Sequence, residues 1–276
     1  MKNYKGLIYP YVVWITIMIV VPMLMIFAFA FMKDEGTGIY FTLENFRRFF
    51  SDETFPNVLK RSLGIALSTT LVCILLGYPA AYIISKAEGK KKSLFVLLMT
   101  MPMWINMLVR TYALMGILAD NGLLNSLLSF LGIPTVQIMY TDFAVMLGMV
   151  YDFIPFMILQ IHGSLEKMDK SLLEAAADLG AGRRKTFLKV ILPLSIPGVL
   201  SGITLVFLPA VSSYFIPNIL GGGGYTLIGN LIQQYSLTTD REFASAISFI
   251  MAVVIMLSMA VTKKLEKFSG TEGSEE

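Results

Sequence analysis

Apolar residues fill six long blocks of this chain, separated by short polar stretches. A helix needs about 20 consecutive apolar residues to cross the hydrocarbon layer of a bilayer. Residues 7–32, 62–85 and 243–262 contain no Asp, Glu, Lys or Arg. Residues 93–119 hold one such charge, Arg110, and residues 143–162 hold one, Asp152. Residues 190–239 are uncharged but too long for one span. This pattern predicts six transmembrane helices, the fifth ending near Tyr214 to Asn218. Residues 221–239, rich in Gly, Gln and Thr, are expected to form an outer loop, re-entrant at most. Glycine-rich backbone exposed to lipid would leave peptide groups unpaired. The expected organisation is a first helix with its outer loop (1–61), the main membrane domain (62–262) and a tail (263–276). Ala28-Phe29-Ala30 looks like a signal-peptidase site. The apolar run before it is longer than a signal core and continues through Phe31-Met32, so an uncleaved helix is expected.

Composition agrees with this reading. Of 276 residues, 55% are hydrophobic and 15% charged, against about 25% charged in a soluble domain. That excludes a disordered chain and disfavours a water-soluble enzyme. Cys73, the single cysteine, excludes an internal disulfide, and with one histidine the usual zinc clusters are excluded too. The net charge of +3 is too small and dispersed for nucleic-acid binding.

The basic residues are unevenly placed. If the N-terminus is inside, fifteen of the 22 Lys and Arg fall in inner segments and six in outer ones, while the acids divide evenly. The positive-inside rule then predicts a multi-pass plasma or inner membrane protein with both termini cytoplasmic. Nine of the eleven prolines lie in or beside the apolar blocks. Bundles that open and close often carry broken helices; proline is also simply more frequent in membrane helices. Both readings stay open.

The most informative polar stretch precedes the fifth block. Asp169 or Ser171 can cap a helix start. Leu172, Leu173, Ala176 and Leu179 make an apolar stripe at helical spacing. Gly180 suits a helix stop, and a second helix is expected over 183–192. Glu174-Ala175-Ala176, three residues, Gly180, nine residues, Val190, one residue, then Leu192-Pro193 resembles the EAA signature of ABC-importer permeases, with Val190 in place of Ile. The resemblance implies an all-α MetI-like permease in which Glu174, Ala175, Ala176 and Gly180 belong to a cytoplasmic coupling helix. It also implies an ATPase subunit dimer inside, a second and non-identical permease, and an extracytoplasmic solute-binding protein. By the residues alone, the same segment also reads as an interfacial helix resting on membrane lipid.

Further stretches are similar to the B-type permease subunits of spermidine/putrescine importers: 76–79 (Leu-Gly-Tyr-Pro), 108–112 (Leu-Val-Arg-Thr-Tyr), 121–131, 164–170 and 227–230 (Leu-Ile-Gly-Asn). The resemblance implies polyamine transport. Asp152 and Arg110 are the charges within spanning sequence, and each costs about 2.5–3.5 kcal/mol at a helix centre, so each must face protein or water. Asp152 could guide a polycation, or the two could form a packing ion pair. A polyamine path needs acceptors and aromatic faces. Trp104, Asn106, Tyr112, Tyr151, Tyr214 and Phe215 are candidates, and aromatics near helix ends also serve as interface anchors. The outer acids Glu44, Asp52, Glu53, Asp120, Asp142, Asp240 and Glu242 could meet a binding protein. His162 reads as an inner-interface residue.

Other chemistry is disfavoured. Residues 180–186 end like a P-loop, but Leu179 and Arg184 stand where its glycines are required, so ATP binding by this chain is not expected. There is no nucleophile–base set, hence no enzyme, and no cofactor is implied. Two alternatives remain: the same permease class carrying another solute, or an ion-coupled carrier with Asp152 as relay.

Overall fold

The structure is a computed structural model that describes residues 8–34, 39–238 and 240–268. The expected charges Lys2 and Lys5 and the end of the tail, 269–276, lie outside the described residues. Six helices are long and apolar enough to cross a membrane: Tyr9–Ala30, Thr54–Ser85, Met107–Phe130, Asp142–Glu166, Arg183–Ser212 and Arg241–Leu265.

The first runs as α1 (Ile8–Ile15), a π-turn (Thr16–Val20) and α2 (Val21–Ala30). A short antiparallel ribbon follows, β1 (Met32–Asp34) with β2 (Ile39–Phe41), which the all-helical pattern did not anticipate. Next come α3 (Glu44–Ser51) and α4 (Thr54–Ser85), the latter starting eight residues before the expected boundary at 62.

The third apolar block is not one helix. It divides into α5 (Gly89–Thr100), a 3-10 turn (Met101–Trp104) and α6 (Met107–Leu118). Pro102 removes a backbone donor at the break. Asn106 restarts the helix, its side-chain oxygen accepting from the Leu108 N–H at 2.8 Å. Short α7 (Leu123–Phe130) then leads to α8 (Asp142–Glu166), and α9 (Lys170–Asp178) and α10 (Arg183–Thr186) follow. A second π-turn (Phe187–Ile191) joins α10 to α11 (Leu192–Ser212) without interruption.

Each π-turn ends two residues before a proline, Pro22 and Pro193. The pattern has a steric cause. A proline ring clashes with the carbonyl one turn back, and widening that turn to an i→i+5 bond makes room. Leu192 N–H accordingly bonds to Phe187 O.

The segment expected to be a glycine-rich loop contains a helix, α13 (Ile228–Leu237), and the short α12 (Phe215–Leu220) precedes its glycines. This corrects the expectation of a plain loop over 228–237. Ile228 N–H donates to the buried Ser62 hydroxyl at 2.8 Å, so α13 is satisfied by protein rather than by lipid or water. α14 (Arg241–Phe268) closes the chain and extends into the expected tail.

The core is the packing of α8 against α4 and α11, with α2 and α13 against α14. Small residues let α8 and α11 approach closely. A Cβ on Gly198 would lie 2.5 Å from Ser164 Cβ and 2.7 Å from the Gln160 carbonyl oxygen. Gly64 on α4 has open space instead. Gly198→Val is therefore expected to destabilise the purified protein by about 1–3 kcal/mol through overpacking, while Gly64→Ala is neutral. Thermal denaturation of the two variants checks this; equal stability would contradict the packing.

Candidate functional site

The signature region forms a two-armed elbow at the end of the bundle where Lys92 and Glu166 pair at 2.5 Å. Asp169 caps the first arm by accepting from the Ser171 N–H at 2.9 Å. That bond holds its carboxyl below the usual carboxylate range. Gly180 ends the arm at φ +73°, a conformation that favours glycine. Ala181 N–H bonds to Ala176 O and Gly180 N–H to Ala177 O, each at 2.9 Å, the paired closure of a Schellman motif.

The expected stripe divides in two. Ala176 is buried and Leu173 half-buried, while Leu172 and Leu179 are exposed, Leu179 at 87%. Glu174, Ala175 and Gly180 are also exposed. One face of α9 thus rests on the bundle and the other is presented outward. Beneath α9 is a cavity of about 650 Å³, lined by Tyr82, Lys86, Glu88, Glu166, Lys170 and Glu174 among others. His162 is buried near this end of α8, its Nε2 3.3 Å from Glu166.

A second cavity, of about 410 Å³, lies where the broken helices meet. Asn106, Phe153, Pro209, Ser213, Tyr214 and Phe215 line it. It is bounded by the N-terminus of α6 and the C-terminus of α11, so backbone donors edge one side and carbonyl acceptors the other. Ser213 is buried, and its hydroxyl has no hydrogen-bond partner among the described residues. Asn230 fixes the rim by donating to Tyr214 O at 2.9 Å.

Of the expected path residues, this cavity gathers Asn106, Tyr214 and Phe215. Trp104, Tyr112 and Tyr151 do not line it; they are exposed on the surface of the chain at 79%, 54% and 42%.

Arg110 and Asp152 meet across α6 and α8, with Nη1 3.0 Å from Oδ1, and both are buried. The contact is not aligned as a hydrogen bond, and both Asp152 oxygens lack such a partner among the described residues. The two charges have been withdrawn from solvent and from lipid together.

At the opposite end, Asp142 receives the Tyr225 hydroxyl at 2.6 Å and Arg61 at 2.6 Å. The Arg61 guanidinium also lies 4.0 Å from the Tyr225 ring centroid. Burial, then the bond to Asp142, push the Tyr225 phenol above its ordinary pKa. Arg48 pairs with Asp240 and stacks 4.1 Å from the Phe243 ring. From sequence, Asp142 and Asp240 are outer acids that could meet a binding protein, and their bonds to Arg61 and Arg48 are not anticipated. Their partners are 81 and 192 residues away, and no local spacing signals such contacts.

Comparison with known proteins gives a consistent placement. The model of a family described as binding-protein-dependent transport system inner membrane component matches residues 73–268. The chain is 39% identical over 254 residues to the spermidine/putrescine transport system permease protein PotB of Escherichia coli (strain K12), covering 90% of this chain and 92% of that one. The protein of the same name from Haemophilus influenzae is 35% identical over 260 residues, covering 92% and 91%. The inner membrane ABC transporter permease protein YdcU of E. coli is 33% identical over 242 residues, covering 82% and 77%. Among solved structures, a bacterial ABC transporter involved in the import of the acidic polysaccharide alginate aligns with a TM-score of 0.77 at 18% identity, covering 95% and 94%. The MetNI methionine ABC transporter in an inward-facing conformation aligns at 0.61 and 13%, covering 77% and 94%. At these identities the two structures speak to the fold. The chain belongs to the family of binding-protein-dependent transport system inner membrane components.

Proposed function

We propose that this chain is one permease subunit of an ATP-driven, binding-protein-dependent importer of polyamines, with spermidine and putrescine as its substrates. The observation that carries the reading is the similarity to PotB proteins over nine-tenths of the chain. The exposed face of α9, bearing Glu174 and Ala175, is where an ATPase dimer docks from the cytoplasm. Both termini lie on that side, in keeping with the excess of Lys and Arg there. A solute-binding protein delivers substrate at the end holding Asp142 and Asp240. The path runs along the interface with a second, non-identical permease. Hydrolysis belongs to the ATPase subunits, and this chain forms no covalent bond with its cargo.

The cavity at the helix breaks suits a protonated amine. The carbonyls ending α11 and the Ser213 hydroxyl are acceptors, and Tyr214 and Phe215 offer aromatic faces to ammonium and methylene groups. The Arg110–Asp152 pair is a packing element beside this path rather than a subsite within it.

Three measurements test these assignments. In proteoliposomes holding the complete transporter and its binding protein, labelled spermidine uptake should require internal ATP and be competed by putrescine. Uptake that follows an ion gradient without ATP would instead mark an ion-coupled carrier. Tyr214→Ala should raise the substrate concentration for half-maximal uptake roughly 2- to 30-fold, the range for losing one cation–π contact; unchanged uptake would remove Tyr214 from the path. Asp152→Asn should lower the amount of assembled protein, because an unpaired buried Arg110 costs about 3–5 kcal/mol. Asp152→Leu with Arg110→Met should restore it, with the spermidine-to-putrescine ratio unchanged. Normal assembly of Asp152→Asn with an altered ratio would give Asp152 a role in selection.

A further inference from the structure

The coupling reading requires movement of the elbow to reach the membrane helices, and the π-turn at Phe187–Ile191 lies directly in that route. A widened turn is a place where a helix yields. Any force applied to α9 and α10 could be lost there before it reaches α11.

Five contacts surround this weak point. Phe187, the first residue of the π-turn, sets its ring against two tyrosines one turn apart on α4. The centroid distances are 5.8 Å to Tyr78 and 5.3 Å to Tyr82, with near-perpendicular planes. Beyond the π-turn, the Tyr78 hydroxyl lies 2.7 Å from the Ser195 hydroxyl, and both residues are buried. Ser195 donates in turn to Leu192 O at 2.9 Å, so Tyr78 is the donor to Ser195. Leu192 N–H completes the circuit at Phe187 O. Tyr78 therefore grips the chain at the start of the wide turn with its ring and beyond the turn with its hydroxyl.

We propose that Tyr78, Tyr82 and Phe187 form a splint across the π-turn, making the elbow, α11 and α4 move as one body when the ATPase closes. This rests on the coupling role given to α9 above. Phe187 and Tyr78 are positioning residues: they touch neither nucleotide nor cargo. Phe187 is the one aromatic residue between Gly180 and Pro193, in the spacer that the signature leaves unspecified. Without the splint, α9 and α10 swing at the π-turn, and ATP is hydrolysed without moving the path.

The test uses the whole transporter in proteoliposomes, with ATP hydrolysis and labelled spermidine uptake measured on the same sample. Phe187→Leu keeps an apolar side chain but removes the edge-to-face contacts. It is expected to lower uptake per ATP about tenfold, in line with losing aromatic pairs worth about a factor of ten. Hydrolysis and co-purification of the ATPase should stay at wild-type levels. Phe187→Tyr should restore coupling, and Tyr82→Leu should reproduce a smaller defect. Wild-type uptake per ATP in Phe187→Leu would overturn the splint. So would loss of the ATPase from that variant, which would make Phe187 a docking residue. If wild-type uptake needs no ATP, the underlying coupling reading fails instead, and the two failures are told apart on the wild-type sample.

Discussion

A peptide group without a hydrogen-bond partner costs several kcal/mol in hydrocarbon, and this constraint organises the whole structure. Every departure from a continuous helix must be repaired on the spot. Asn106 repairs the break in the third block with its side chain. The hydroxyl of Ser62 repairs the start of α13. The prolines at 22 and 193 are accommodated by i→i+5 turns rather than by open breaks. The interrupted α5–α6 passage and the end of α11 enclose the membrane cavity, and the π-turn after Thr186 joins the elbow to its span.

Charge is handled under the same constraint. Arg110 and Asp152 lie on different helices that α8 packing brings together, so each withdraws the other from lipid. At the end away from the elbow, Asp142, Arg61 and Tyr225 tie the start of α8 to α4 and to the glycine turn before α13. Toward the elbow, Lys92 and Glu166 fasten α5 to the end of α8. Charged residues thus anchor both ends of the bundle, while its middle is held by small residues and apolar packing.

Much of this was legible in the residues. Six apolar blocks of sufficient length, none with more than one charge, are a strong signal because lipid tolerates few alternatives. The elbow was readable because Asp169 and Gly180 act through their nearest neighbours, as a cap and as a left-handed stop. What was not legible involves competition between local options. Hydropathy cannot distinguish a straight helix from the α5–α6 pair, since both are apolar; Pro102 and Asn106 were the local clues. The glycines at 221–224 suggested a loop for the whole stretch to 239, but Leu227 to Leu231 bury themselves against α4 and α14 and form a helix. The aromatic grip on Phe187 depends on contacts more than a hundred residues distant in sequence, which spacing cannot reveal.

The central claim is that the outward face of α9 is a docking surface for a separate motor subunit. Cys73 is buried, so a cysteine placed at exposed Leu179 would be the reactive one on this chain. In the assembled transporter, Leu179→Cys should crosslink to a cysteine scanned along the ATPase surface, with a yield that changes on adding ATP. A working transporter in which Leu179→Cys forms no adduct with any ATPase position would contradict the account.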